Sequence, residues 1–368
     1  MKTMNSLCAA LLVCTTGVFA ESRMNPPGKD ACPCLEQGLG LPTEKKCFFA
    51  GYNAPASIAI SCGWDVSLFA SFLYWEAFQD GMSPASVRPT FNAGGFPTLT
   101  GAIAAPHFSY QPGFKVGLGF NTNYDDWTGW LEYTWFHQRV TGSSSPPQTI
   151  AQEPGSWEVS HWFGTLDGFG VAGEPIETSW TMNLDLVDAM LKRPYYQGTQ
   201  LTISPYAGLR TLFLRQRYVI DLLEPTGAAF SINQSHSAAI GPHLGVTGHW
   251  FLAKGFRFEG QAAGSLLYTH YSKISARYFS RDSTNLSLPL YGAVYNVNKV
   301  RPVAELGLGL GWGTYLSSQR YFFDLSLRYD FMYMWKQNVM RHMLSSFEGN
   351  DNDTGDLTLN GLTLTAAF

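Results

Sequence analysis

A two-residue alternation of apolar and polar side chains recurs through ten segments between Trp64 and Phe368, and it constrains this chain more than any other feature. The clearest stretch is FKVGLGFNTNYDDWTGWLEYTWFHQR, Phe114 to Arg139. Phe114, Val116, Leu118 and Phe120 fall on one face, with Lys115, Gly117, Gly119 and Asn121 on the other. After a polar break, Trp127, Gly129, Leu131, Tyr133 and Trp135 oppose Thr128, Trp130, Glu132, Thr134 and Phe136. Period two is the mark of β-strands whose faces meet different surroundings.

The segments run Trp64–Phe78, Phe114–Phe120, Trp127–Val140, Glu177–Met190, Gln200–Phe213, Ile240–Leu252, Phe256–Tyr268, Val300–Trp312, Tyr321–Phe331 and Leu359–Phe368. The even-numbered connections between them are short and the odd-numbered ones long. A soluble sandwich has no reason to sort its loops this way. An up-and-down barrel in an outer membrane does, with short periplasmic turns and long external loops. Segments of this length exceed the roughly five or six residues of a soluble strand and suit a tilted bilayer crossing. The expected fold is therefore an all-β transmembrane antiparallel barrel of ten strands, or twelve if the long loops hide two more. Residues 63–368 form the barrel domain in this reading.

Aromatics set the direction of the apolar face. Trp127 and Trp135 bracket Leu131, Phe256 and Tyr268 bracket smaller residues, and Tyr321 and Phe331 bracket Leu325 and Leu327. Interfacial girdles need such bands at both strand ends. The apolar set is thus expected to face lipid throughout. In the fourth segment this sends Trp180, Met182, Leu184 and Leu186 outward and Asp185 into the lumen. Composition agrees with a membrane barrel: charged residues are 14%, below the roughly 25% of a soluble domain. Mean hydropathy is only −0.07, because alternation hides apolar residues from a window average.

Before the barrel, residues 1–20 read as a cleavable signal peptide: Lys2, an apolar core Leu7–Phe19, and Val18-Phe19-Ala20 as cleavage signal. Val13 before Cys14 makes a poor lipobox. No later segment approaches 18 consecutive apolar residues, so no transmembrane helix is expected. Residues 21–62 form an irregular, proline-containing leader that holds Cys32, Cys34, Cys47 and Cys62. In an oxidising compartment, clustered cysteines suggest disulfides, within the chain or to neighbouring envelope proteins. Cys32-Pro33-Cys34 lacks the usual zinc spacing. The formal net charge of −4 argues against a nucleic-acid partner.

Candidate pore-lining charges are Lys115, Glu132, Asp185, Arg210, Arg257, Glu259, Arg301, Glu305, Asp324, Arg328 and Asp330. They would either line a polar constriction with weak ion selectivity or pair with one another and fill the barrel. Gly307, Gly309, Gly311 and Gly313 share a strand face and read as small lumen residues, not a nucleotide loop, because Trp312 breaks that motif. His243 and His249 share a face and read as lumen residues; no catalytic, metal or cofactor site is expected. The run Asp351 to Asp356 reads as an acidic turn.

Three stretches, WDVSLFASFLYWEAFQDGM, WTMNLDLVDAMLKRPYYQGTQLTISPYAGLRTLFLRQRYVI and LTLNGLTLTAAF, resemble the Legionella-type and chlamydia-like major outer membrane proteins, also described as a pore-forming family. The likeness covers Trp64 to Phe368. Its most specific part is the run Y-Y-x-G-x-x-L-T-x-x-P-Y-x-G-L-R, Tyr195 to Arg210. The resemblance implies an abundant envelope barrel with porin-like permeability, and the cysteine cluster is similar to the disulfide-stabilised chlamydial envelope. The expectation is a non-enzymatic outer membrane protein passing small hydrophilic solutes, with a non-conducting structural or adhesive barrel as the alternative. Its partners would be membrane lipid, the barrel-assembly machinery and other cysteine-rich envelope proteins.

Overall fold

A computed structural model describes residues 52–55, 66–87, 90–91, 97–98, 103–122, 127–145, 156–159, 162, 170–172, 175–197, 200–224, 227–282, 287–316, 321–340 and 354–368. The signal peptide, the four leader cysteines and most of the leader lie outside these residues.

Ten long strands make the barrel: β1 Val66–Gln79, β2 Gln111–Asn121, β3 Thr128–Ser144, β4 Ile176–Lys192, β5 Leu201–Glu224, β6 Gly227–Phe251, β7 Phe256–Asp282, β8 Ser287–Leu316, β9 Tyr321–Asn338 and β10 Gly355–Ala367. Each pairs antiparallel with its sequence neighbours. The ring closes where β10 meets β1, in a register running from Leu357↔Gln79 to Ala367↔Phe69. Closure leaves no free edge across the bilayer, where an unpaired amide has no water to turn to. The short connections after β2, β4, β6 and β8 lie at one end. In the β6–β7 turn, Lys254 and Gly255 both have positive φ, 52° and 84°. Such a pair matches the twist of a two-residue hairpin.

One boundary of the leader differs from expectation. Tyr52–Pro55 forms a strand against Tyr195–Gln197, which itself pairs with the start of β5. The leader, expected to be irregular to residue 62, thus adds a strand at the short-turn end.

Strand lengths hold the larger surprise. A transmembrane strand needs about 9–11 residues. β2 has 11, but β5, β6, β7 and β8 have 24, 25, 27 and 30. The fifth and seventh connections, expected as long loops, are continuations of these strands into hairpins that project beyond the membrane.

The reason is legible in the side chains. Through β4 and β5 the phase of alternation does not slip, yet its chemistry inverts partway up the barrel. On β8, outward Leu308 is 74% exposed; on β4, inward Leu184 is fully buried. In the lower half, outward residues are Leu306, Leu308, Leu118, Leu191 and Leu364, all exposed, while the inward set is charged, polar or glycine apart from a few aromatics such as Phe69 and Trp130. In the upper half the inward residues of β4 are Ile176, Trp180, Met182, Leu184 and Leu186, all buried. Their outward neighbours are Glu177, Ser179, Thr181, Asn183 and Asp185. On β5, Arg210 gives way inward to Leu212, Leu214, Tyr218, Ile220 and Leu222, and Phe213 gives way outward to Arg215 and Arg217. Strand β4 was expected to send its apolar set to lipid; most of it lies above the lipid, so that set turns inward.

Aromatic rings mark both rims of the lipid-facing band. Tyr321 stacks on Phe368 at 5.3 Å on the turn side. Phe114 stacks on Trp135 at 5.3 Å, and Tyr74 on Tyr110 at 5.4 Å, on the other.

Candidate functional site: the barrel lumen

The lumen is built in storeys, each supplied by inward positions of several strands. Nearest the tight turns, Arg257 of β7 is clamped between two carboxylates. Its Nε donates to Glu259 Oε1 at 2.8 Å, and its fork reaches Asp324 of β9 at 2.6 and 2.7 Å. The facing residue of β8 is Gly311, where a Cβ would collide with both Glu259 and Arg257. Gly307 likewise leaves room for Arg328 and Asp330. The glycine row therefore makes space for guanidinium groups, not for solvent.

One storey up, Arg328 Nε donates to Asp330 Oδ1 at 2.5 Å, and Asp330 accepts from Thr363 at 2.6 Å. Thr363 accepts in turn from Trp75 Nε1 at 3.0 Å. Lys115 pairs with Glu132 at 3.4 Å and lies 5.0 Å from the centre of the Trp75 ring.

Arg210 organises the next storey. It forms a two-pronged pair with Asp188 at 2.7 and 2.8 Å and a further pair with Glu305. Its other neighbour is His243 Nε2 at 3.4 Å, and His243 Nδ1 lies 2.8 Å from Ser265 Oγ. Arg210, Asp188 and His243 are all buried. Arg301 stands above, donating to Tyr271 at 3.1 Å.

Over the charges sits an apolar plug. Inward side chains of the upper strands, including Trp75, Phe136, Trp180, Met182, Leu214 and Met332, pack with residues of the first and third long connections. Those connections fold back to form a four-stranded sheet of Gly170–Ala172, Ser156–Val159, Ala85–Val87 and Ile103–Ala104. Met82, Trp157 and Trp162 belong to the plug and are buried. Polar ties fix it to the wall, with Tyr218 donating to Met82 O at 2.6 Å and Ser231 to Trp162 O at 2.7 Å, and within itself Trp162 Nε1 donates to Gly81 O at 3.1 Å. At the junction of plug and charges lies a cavity of about 20 Å³, lined by Lys115, Gln261, Glu305, Arg328 and Asp330 below and by Trp75, Met332 and Leu359 above. That is room for about one water molecule.

Ten of the candidate residues point inward: Lys115, Glu132, Arg210, Arg257, Glu259, Arg301, Glu305, Asp324, Arg328 and Asp330. The exception is Asp185, which faces outward at the rim of the lipid band. There its carboxylate accepts from Tyr133 OH at 2.6 Å and lies 3.4 Å from His137 Nε2. Its place in the lumen is taken by Asp188, which the sequence reading missed. The sign was present: Val187, Ala189 and Leu191 alternate with Asp188, Met190 and Lys192, so the chemistry of the two faces has already swapped by the foot of β4. Of the two histidines, His243 serves Arg210 and Ser265. Among the described residues no group of three or more His, Cys, Asp or Glu is placed to hold a metal ion.

The model of a family described as Legionella pneumophila major outer membrane protein precursor matches residues 60–368, the whole barrel. No curated protein matches the sequence. Among solved structures, the outer membrane protease OmpT from Escherichia coli is 10% identical, with 82% of this chain and 95% of that one covered and a TM-score of 0.41. The Pseudomonas putida toluene transporter TodX is 10% identical, with 82% and 89% covered and a TM-score of 0.30. A Pseudomonas aeruginosa FadL homologue is 7% identical, with 82% and 89% covered and a TM-score of 0.20. At such scores these likenesses add nothing to the barrel already described.

Proposed function

This chain belongs to the Legionella major outer membrane protein family, and on that premise we propose that it is a sealed outer membrane barrel: a structural and surface-presenting envelope protein whose lumen is a folding core. The observation that carries this reading is the double filling of the lumen. The lower half is crossed by paired charges, and the upper half by an apolar plug that draws on both the wall and the folded-back connections. Passive diffusion, the expectation drawn from the resemblance, needs a continuous wet path. A ten-stranded barrel leaves only a narrow interior to begin with, since eight strands are just filled by side chains. Pairing also removes the net field that an ion-selective constriction uses.

The reading involves no reaction and no cofactor. Its structural side draws on Cys32, Cys34, Cys47 and Cys62, whose chemistry suits cross-links to neighbouring envelope proteins. The refolded protein in a planar bilayer tests the proposal. It predicts a quiet membrane under voltage, at any salt. Discrete steps that scale with salt concentration would overturn it in favour of a diffusion pore.

A further inference from the structure

The outward surface just above the lipid band is not uniform around the barrel. Over β3 to β7 it carries Arg139, Arg215, Arg217, Lys273 and Arg277. The four arginines are exposed, and none forms an ion pair with another described residue. The register sets them in rows. Arg139 and Arg217 both lie opposite Thr181, on its two sides. Arg215 faces His236, and His236 faces Lys273. On the opposite side, over β9, β10 and β1, the same height carries Tyr333, Asp356, Glu76 and Asp80, with Lys336.

Height identifies what these cations meet. Phe213 is the last large lipid-facing residue of β5, and Arg215 and Arg217 follow it two and four residues later. At roughly 3.3 Å per residue and a tilt near 40°, they stand about 5 and 10 Å above it. The polar head-group layer of a bilayer is about 5–7 Å deep on each side. Both rows are within the reach of an arginine side chain of that layer. Among the described residues the other rim carries Lys254 and a band of aromatic residues, Trp127, Trp250, Phe256, Tyr321 and Phe368, with no such rows of arginine. The acids nearest the basic rows form no ion pair with them: Asp185 accepts from Tyr133 and lies 3.4 Å from His137, and Glu177 and Asp221 face each other in register nearer the strand tips.

We propose that this band is a docking surface for phosphate groups on the lipid head groups of the outer leaflet, held by the guanidinium forks of Arg139, Arg215, Arg217 and Arg277. Guanidinium presents paired donors that match phosphate geometry. Continuity with the lipid-facing wall and the one-sided charge both favour a lipid over a soluble acidic partner.

The test uses the full, refolded protein and measures its binding of diphosphoryl lipid A against the same lipid with both phosphates removed. A cation near an anionic surface contributes about fivefold in affinity, so Arg215→Ala/Arg217→Ala should bind about thirtyfold more weakly. Lys336→Ala, on the other side of the barrel, should bind as the parent does. Heat-dependent electrophoretic mobility confirms that each variant folds. If the double variant fails to fold, salt titration of the parent carries the test, with a steep fall in lipid binding expected. Equal binding of phosphorylated and dephosphorylated lipid, unchanged binding by a folded double variant, or salt-independent binding would overturn the proposal. So would preferential saturation of the band by heparin, which would point to a soluble acidic partner.

Discussion

The lower and upper halves of this barrel are built on one backbone rhythm and two opposite chemistries. Below about Leu186, lipid surrounds the wall, so leucines point out and ion pairs fill the inside. Above it, water surrounds the wall, so arginine, asparagine and threonine point out and the inside becomes an apolar core. The strands cross the boundary without a bulge in β4 or β5, pairing residue for residue. Alternation therefore fixes only that two faces differ. The surrounding solvent decides which face takes which residues.

Asp188 and Asp185 break this comparison most sharply, since they sit three residues apart on the same strand and face opposite ways. Asp188→Ala leaves Arg210 buried with Glu305 as its remaining carboxylate and should cost about 3–5 kcal/mol. Urea unfolding of the barrel in lipid vesicles measures it. The same titration reads the apolar contrast. Trp180→Ala, in the upper core, should cost about 3–5 kcal/mol, because it opens a cavity among buried side chains. Leu308→Ala, facing lipid, should cost well under half of that, because acyl chains fill the space.

Smaller effects sharpen the account. Gly311→Ala places a methyl against Glu259 and Arg257 and should cost about 1–3 kcal/mol through overpacking. Asp185→Ala removes the hydrogen bond from Tyr133 and the longer contact with His137 at the rim and should cost only about 1 kcal/mol. Equal costs for the two aspartates would contradict the inverted geometry of β4.

Much of this was legible in the sequence, and what was not has one cause. Ten strands, the short connections between alternate pairs and ten inward charges follow from period two and from aromatic residues at strand ends. The rule that apolar faces meet lipid then failed above the membrane. It sent Trp180 and Leu184 the wrong way and Asp185 with them. It also ended β5 at Phe213, although Leu214, Gln216, Tyr218, Ile220 and Leu222 continue to alternate with Arg215, Arg217, Val219 and Asp221. Read with the chemistry reversed, those residues are as clear a strand as the ones before them. The plug was harder to see. Trp157 and Trp162 lie in a polar, glycine-containing connection, and their burial depends on partners such as Tyr218 and Ser231 far along the chain.

Accessibility along β4 tests the central claim most directly. Spin labels are placed singly at Thr181, Met182, Leu191 and Lys192, in a chain whose own cysteines are changed to serine, and relaxation by oxygen and by a water-soluble nickel complex is measured in vesicles. The account predicts that position 181 meets water and position 191 meets lipid, while positions 182 and 192 are shielded from both. Lipid at position 182, or free access of the nickel complex to positions 182 and 192, would contradict the inverted, sealed barrel.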